Sequence, residues 1–221
     1  MNIPSSSELI RIHAENTRFE ATLAMPASAK SIIIFAHGAG SSSHSPRNRL
    51  VARSLFQRGF AILLPNLVDE TEDSDETSPQ GEKHCVSQIA IRLSATIDWL
   101  IANPKTSKLD IGLFGSRTGA GAAMIAAALR PKNVHAIISR GGRPDLADEH
   151  LQQVLAPTLM IVGSKDHTHI DHNRKASEKM RGKPMLELIP GASHLFGEPG
   201  KLEQVASMSN LWFQRTLALC G

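Results

Sequence analysis

The residues best placed for chemistry lie in a short turn with a glycine at each end. In Gly115-Ser-Arg-Thr-Gly119 the two glycines stand two positions either side of Arg117, between an apolar run and a stretch of small residues. A strand, a sharp turn and a helix in this order are typical of a nucleophile elbow, which holds its central residue in a strained conformation. A plain glycine-rich turn has the same composition, so the motif alone leaves both interpretations open.

A second polar segment, Asp166-His-Thr-His-Ile-Asp-His172, is rich in side chains that bind metals. Its histidines are His167, His169 and His172, a spacing that is not a standard zinc pattern. We therefore expect a solvated helix start here and no bound metal.

The segment from Asn66 to Lys83 predicts a long loop, and it contains the acidic run Asp69–Glu76. So much like charge cannot be buried, which favours a solvated loop. Long loops in compact domains are often functional, so a lid or a partner-binding segment over the site is the alternative.

Short β-rich runs alternate with helical patterns along the chain, which predicts a mostly parallel sheet covered by helices on both faces. The first two strands should form an antiparallel hairpin. Ligands of such sheets bind beyond the carboxyl ends of the strands, where the glycine-flanked turn lies. The predicted strands are 7–14, 17–25, 30–36, 60–64, 109–114, 134–139, 158–163 and 185–189, and the predicted helices are 47–58, 84–102, 118–130, 170–181 and 201–218.

Composition limits the class of protein. A length of 221 residues fits one domain, which we take as 1–221. The net charge of +3 is spread along the chain and tyrosine is absent, so we expect no nucleic-acid partner. We identify neither a signal peptide nor an apolar stretch long enough to cross a bilayer, and expect a cytoplasmic protein without membrane contact. Cys85 and Cys220 should be free thiols.

Five segments occur in an order that is typical of a known family. The chain resembles the dienelactone hydrolase-like branch of the α/β-hydrolases from about residue 17 to about residue 215. The resemblance implies the twisted sheet described above, small esters or lactones as substrates, and no cofactor. The segments that carry it are His37-Gly-Ala-Gly-Ser-Ser42, Gly112–Gly119, Ser139–Asp145, Val162–Asp166 and Ala192–Phe196.

The resemblance also assigns roles to single residues. The acid of the family matches Asp166, the histidine matches His194, and the nucleophile, normally Ser or Cys, matches Arg117. A guanidinium stays protonated, offers no lone pair and accepts no hydrogen bond, so it cannot attack a carbonyl carbon. By this resemblance the protein is an esterase that lacks its attacking group and is weak or inactive.

The oxyanion hole of the family also has candidates in this sequence. It would use the backbone N–H of Thr118 and one from the loop around Gly38 and Ala39. Activity could survive if the hydroxyl of Ser116 or of Thr118 acts as a surrogate nucleophile in a shifted elbow. It could also survive if the acid and the histidine activate water directly, by a slower route.

A non-catalytic protein is the other interpretation. A helix N-terminus attracts anions, and Arg117, joined by Arg140 or Arg143, would add fixed positive charge to such a site. Alternatively Arg117 pairs with Asp166 or with an acidic residue of the long loop and closes the pocket. The expected partner is therefore a small-molecule ester, lactone or anion, bound by a monomer or a homodimer.

Overall fold

Eight strands form one sheet in the computed structural model, which describes residues 7–14, 17–38, 45–68 and 78–217. The strand order across the sheet is β1-β2-β4-β3-β5-β6-β7-β8. The pairs β1–β2 and β2–β4 are antiparallel and all the others are parallel, which confirms the predicted sheet. The strands are β1 (Glu8–Ala14), β2 (Thr17–Ala24), β3 (Ser31–Ala36), β4 (Ala61–Pro65), β5 (Asp110–Arg117), β6 (Val134–Gly142), β7 (Thr158–Gly163) and β8 (Met185–Ile189).

Helices connect the parallel strands and cover both faces of the sheet. In strand β3, Ile32 and Ile34 belong to one hydrophobic core whereas Ile33 and Phe35 belong to the other, because successive side chains of a strand point to opposite faces. The first core contains α2, α3 and part of α4, and the second contains α1 and α5. The helices are α1 (Pro46–Gln57), α2 (Pro79–Ala102), α3 (Thr118–Leu129), α4 (His167–Lys179) and α5 (Lys201–Thr216), with a 3₁₀ segment at Pro144–Gln153.

Two helices begin earlier than the hydrophobic pattern predicts, because polar caps set their starts. The hydroxyl of Ser78 accepts a hydrogen bond from the Gly81 N–H at 3.1 Å, and Pro79 fits the first turn, so the last five residues of the expected 66–83 loop are helical. Helix α4 starts at His167 rather than near residue 170. The acidic run Asp69–Glu76 lies outside the described residues.

Among the described residues, one helix could span a membrane by length and composition, which corrects our expectation that none exists. The segment Gln80–Ala102 of α2 has a mean hydropathy of 1.3, and 56% of this stretch is buried inside the protein. Its apolar stripe of Val86, Ile89, Leu93 and Ile97 lies in the first core, as expected of a core helix. Cys85, on the same helix, is buried and forms no disulfide with a described residue, and its Sγ lies 4.0 Å from the hydroxyl of Thr118. Cys220 lies outside the described residues.

We predict that Leu93→Ala destabilises the protein far more than Ile91→Ala on the same helix. The Leu93 side chain is fully buried, so its truncation leaves a cavity costing about 2–5 kcal/mol of unfolding free energy. Ile91 is 48% exposed, and its truncation should change that free energy by less than about 0.5 kcal/mol. Urea unfolding followed by circular dichroism measures both values, and equal losses would contradict the described packing of α2.

Candidate functional site

The glycine-flanked turn is a sharp junction between β5 and α3, with Arg117 at its centre. Arg117 has a φ of 53° and a ψ of −131°, a backbone conformation that side chains other than glycine rarely adopt. A Cβ on Gly115 would lie 2.5 Å from the Cα of Ala120, and one on Gly119 would overlap the carbonyl oxygen of Ala36. The two glycines therefore let α3 pack directly against the sheet, and the strained residue is 117, as the motif predicts.

The Arg117 side chain is exposed, and no described residue forms a hydrogen bond or an ion pair with its guanidinium. The predicted pairing with Asp166 is not formed. The positive charge of Arg117 nevertheless acts on the neighbouring imidazole of His194 and is one of the causes that lower the pKa of that imidazole.

Asp166 and His194, far apart in sequence, are in direct contact. The Nδ1 of His194 lies 2.8 Å from the Oδ2 of Asp166, and because a carboxylate only accepts, Nδ1–H is the donor. Asp166 follows the end of β7, and Gly163 makes room for the loop that carries the histidine, because a Cβ there would lie 2.5 Å from the carbonyl oxygens of Ala192 and Ser193. This hydrogen bond leaves the Nε2 of His194 with its lone pair.

A second imidazole, which the sequence analysis did not place in the site, shares the same carboxylate. The Nδ1 of His169 lies 2.9 Å from the other oxygen of Asp166, and its ring stacks on that of His194 with centroids 4.2 Å apart. The carboxylate also accepts the backbone N–H of His169 at 3.4 Å and so caps α4. An acid three residues before a histidine at a helix start was the available signal.

Burial and hydrogen bonding set the charges of this group. Burial alone would raise the pKa of Asp166, but the hydrogen bonds from His169 and His194 outweigh it and hold that pKa below its ordinary value. Burial lowers the pKa of His194, and its bond to Asp166 only partly offsets this effect. At neutral pH the site therefore contains an ionised acid and a neutral imidazole that can accept a proton at Nε2.

Asp166, His169 and His194 also offer one potential metal-ligand atom each, all within 4.8 Å of one another. However, both Nδ1 atoms already face the carboxylate as hydrogen-bond donors, and the guanidinium of Arg117 adds positive charge nearby. These three side chains are therefore better suited to holding the two imidazoles in position than to binding a divalent cation. The absence of a metal stays a prediction. Among the histidines of this segment, only His169 contacts the acid.

The two described parts of the expected oxyanion hole lie side by side. A Cβ on Gly38 would overlap the hydroxyl of Thr118 and would lie 3.1 Å from its backbone nitrogen. Gly38 follows β3 and Thr118 is the first residue of α3, so the close approach of these elements again requires glycine. Ala39, the third candidate, lies outside the described residues.

Ser116 does not contact the histidine. Its side chain is 1% exposed and its hydroxyl has no partner among the described residues. In the sheet it pairs with Arg140 of β6, so the two side chains point to the same face. The surrogate-nucleophile hypothesis therefore has no supporting contact in this structure.

The two arginines expected to bind ligands have different surroundings. Arg143 forms ion pairs of 2.9 Å with Glu82 and with Asp145, and these carboxylates outweigh the effect of burial and raise its pKa. These ion pairs link Arg143 to α2 and to the 3₁₀ segment, so its described contacts do not support the predicted ligand-binding role, which stays a prediction. Arg140, in contrast, is buried and has no carboxylate partner among the described residues.

Comparison with known proteins places these features in a family context. The model of the dienelactone hydrolase family matches residues 19–220. The solved structure of a dienelactone hydrolase from Anabaena variabilis is 43% identical in sequence and has a TM-score of 0.89. The match covers 96% of this chain and 98% of the Anabaena chain. Est1E from Butyrivibrio proteoclasticus shares the fold, with a TM-score of 0.77 and a sequence identity of 17%. This match covers 95% of this chain and 99% of the Est1E chain.

Curated relatives are longer than this chain. Proteins from two Mycobacterium tuberculosis strains, each named "Putative phosphoribosyl transferase", are 43% identical over 210 residues. The match takes in 95% of this chain and 46% of each relative. The chain thus spans less than half the length of the curated relatives that it matches.

We predict that Gly119→Ala destabilises the fold by about 1–3 kcal/mol, because the added methyl group meets a backbone carbonyl that cannot move aside. Gly197→Ala is the matched control, since a Cβ at that position meets nothing within 4 Å. Urea unfolding of both variants checks the expectation. A Gly119→Ala protein as stable as the control would mean that α3 does not pack as closely as described.

We also predict that the His194 imidazole titrates below its ordinary pKa of 6.5 in the folded protein. Between its folded pKa and 6.5 the unfolded chain binds more protons, so the stability contributed by this group is present above about pH 6.5 and is lost as the pH falls. Arg117→Ala should raise the midpoint by removing a nearby cation, whereas Arg53→Ala should not. NMR titration of the ring protons measures this, and a wild-type midpoint at or above 6.5 would contradict it.

Proposed function

The chain belongs to the dienelactone hydrolase family, and we propose that it binds small esters, lactones or anions in a hydrolase-type site that cleaves esters weakly or not at all. The observation that carries the proposal is the guanidinium of Arg117 at the centre of the strained turn. An elbow of this shape normally presents the group that attacks the carbonyl carbon. In this chain the position holds a permanent cation without a lone pair.

The rest of the arrangement is suited to ester chemistry. Asp166 orients His194 so that Nε2 could take a proton, and the approach of Gly38 to Thr118 is compatible with an oxyanion site. What is missing is the hydroxyl or thiol whose proton the imidazole would take. Without a covalent intermediate, His194 could still act as a general base on water, and any residual hydrolysis would follow this slower route.

Anion binding is the second candidate function, and a separate observation favours it. Helix α3 begins at Thr118 with no acidic residue in its first turn, and its positive end lies next to the exposed guanidinium of Arg117. A carboxylate or phosphate would be attracted by both. On this reading the fold keeps the binding geometry of an esterase and uses it to retain a ligand.

The name of the M. tuberculosis relatives does not change this proposal. Those proteins are about twice as long as the matched region, and the described residues of this chain form a hydrolase-type sheet. A phosphoribosyl transfer activity would therefore belong to the part of those proteins that this chain does not match.

We predict that Arg117→Ser raises kcat/KM for p-nitrophenyl acetate by about a hundredfold or more. Loss of a triad nucleophile removes most of the rate, and a hydroxyl restored at the strained position could be deprotonated by the oriented imidazole of His194. Arg117→Ala is the matched control, because it removes the same charge without supplying a hydroxyl and should give no gain. A folded Arg117→Ser protein without increased activity would show that more than the nucleophile is missing.

A fluorophosphonate probe separates this proposal from the surrogate-nucleophile hypothesis. The wild-type protein should remain unlabelled, and Arg117→Ser should be labelled at residue 117. Stoichiometric labelling of the wild-type protein at Ser116 or Thr118 would overturn the proposed loss of the covalent route.

A further inference from the structure

Arg140 is a buried cation that the described structure leaves without a counter-charge. Its side chain is only 6% exposed, its Nε has no partner, and its sole described hydrogen bond is a 3.4 Å contact to the amide oxygen of Asn48. The guanidinium lies 6.0 Å from the ring centroid of Phe196, which supports it on one side. Burying a charge is costly unless it is paired and fully hydrogen-bonded, so this arrangement is incomplete as it stands.

The surroundings of Arg140 add further positive charge. Burial is the main cause that lowers its pKa to about 10, and the charges of Arg47 and Arg117 lower it further. No carboxylate is among the causes that act on this group. The charges of Arg47 and Arg117 therefore act on Arg140 at the carboxyl end of the sheet, and no acid among the described residues offsets them there.

The N-terminus of α1 points its positive end at the same place. Asn48, which contacts Arg140, lies in the first turn of this 12-residue helix, and that turn contains Arg47 and no acidic residue. The cap residue Ser45 makes no side-chain cap hydrogen bond. Cations at a helix N-terminus oppose the helix dipole, whereas an anion there is stabilised.

Two more buried polar atoms, on the neighbouring strand β5 and on α1, have no partner in the described part of the chain. They are the hydroxyl of Ser116, which pairs with Arg140 across the sheet, and the Nε of Arg49 on the first turns of α1. Buried polar groups are normally satisfied, so the unsatisfied Nε of Arg140 and hydroxyl of Ser116, which are neighbours in the sheet, favour a bound acceptor at this place.

From this geometry we infer that the chain binds a phosphate group, free or as a monoester, in the cluster formed by Arg140, Arg47 and Arg117 at the start of α1. A phosphate dianion carries enough charge to balance two of the three guanidinium groups, whereas a carboxylate balances one. Its oxygen atoms can accept from guanidinium N–H groups and from the first-turn N–H groups together. Arg117 is exposed and Arg47 half-buried, so the cluster extends from the buried Arg140 to the protein surface.

This inference deepens the proposed function, because it names the class of anion and adds Arg140 as the main binding residue. It does not depend on the loss of esterase activity. A change in phosphate binding and a gain of ester hydrolysis are separate measurements, so either can fail while the other succeeds.

The test compares the wild-type chain with Arg140→Met and with the control Arg53→Met, whose arginine is exposed on the same helix α1. Calorimetric titration with inorganic phosphate should show binding to the wild-type and control proteins, and at least about tenfold weaker binding to Arg140→Met. Phosphate should raise the Tm of wild type relative to chloride at equal ionic strength, and acetate should raise it less. Glycerol 3-phosphate in a parallel titration distinguishes a monoester ligand, which binds more tightly, from free phosphate.

A second variant guards against misfolding of the first. Asn48→Asp places a carboxylate beside Arg140, so it should raise the Tm in chloride and abolish the response to phosphate. The inference is overturned if phosphate does not bind the wild-type protein, if acetate stabilises it equally, or if both variants bind phosphate as tightly as Arg53→Met does. Phosphate binding through Arg140 together with an inactive Arg117→Ser protein would support this inference and contradict only the expectation that the nucleophile alone is missing from the hydrolase-type site.

Discussion

The close approach of α3 to the sheet is the constraint on which the candidate site depends. Gly115 and Gly119 allow it, since a methyl group at either position would meet backbone atoms of the facing element. The approach forces the intervening residue into a positive φ and exposes its side chain beside the oriented histidine. The strain is retained although the residue at its centre is an arginine, which indicates that the turn is maintained by packing and does not require a nucleophile.

The charged side chains around this turn differ in whether an oppositely charged or hydrogen-bonding group balances them. The single carboxylate of Asp166 has both oxygens engaged, by His169 and by His194. Arg143 is likewise balanced by two acids. Arg140 is buried without any acid partner among the described residues, although the same fold pairs the partly buried Arg143 with two carboxylates. The contrast singles out Arg140 as a group whose counter-charge comes from outside the described chain.

The sequence was sufficient for features that repeat or lie close together in the chain. Alternating apolar runs predicted all eight strands, and the glycine spacing located the strained residue. Helix starts were predicted less well, because the polar first turn of α2 at Pro79 shows no apolar periodicity and depends on the cap of Ser78. Sequence patterns did not predict side-chain contacts between distant segments, such as the ion pair of Arg143 with Glu82. Arg140 was expected to follow the end of its strand, whereas β6 continues through it and buries it.

Asp166 makes two contacts that couple helix α4 to the imidazole of His194. The same carboxylate caps the first turn of α4 and orients His194. Local unfolding of that turn would therefore withdraw the acid from the histidine, and the two would open and close as one cooperative unit. A ligand that contacts the imidazole of His194 would protect the first backbone amides of α4 from hydrogen exchange without touching the helix. The exchange rate of these amides would therefore report whether the site holds a ligand.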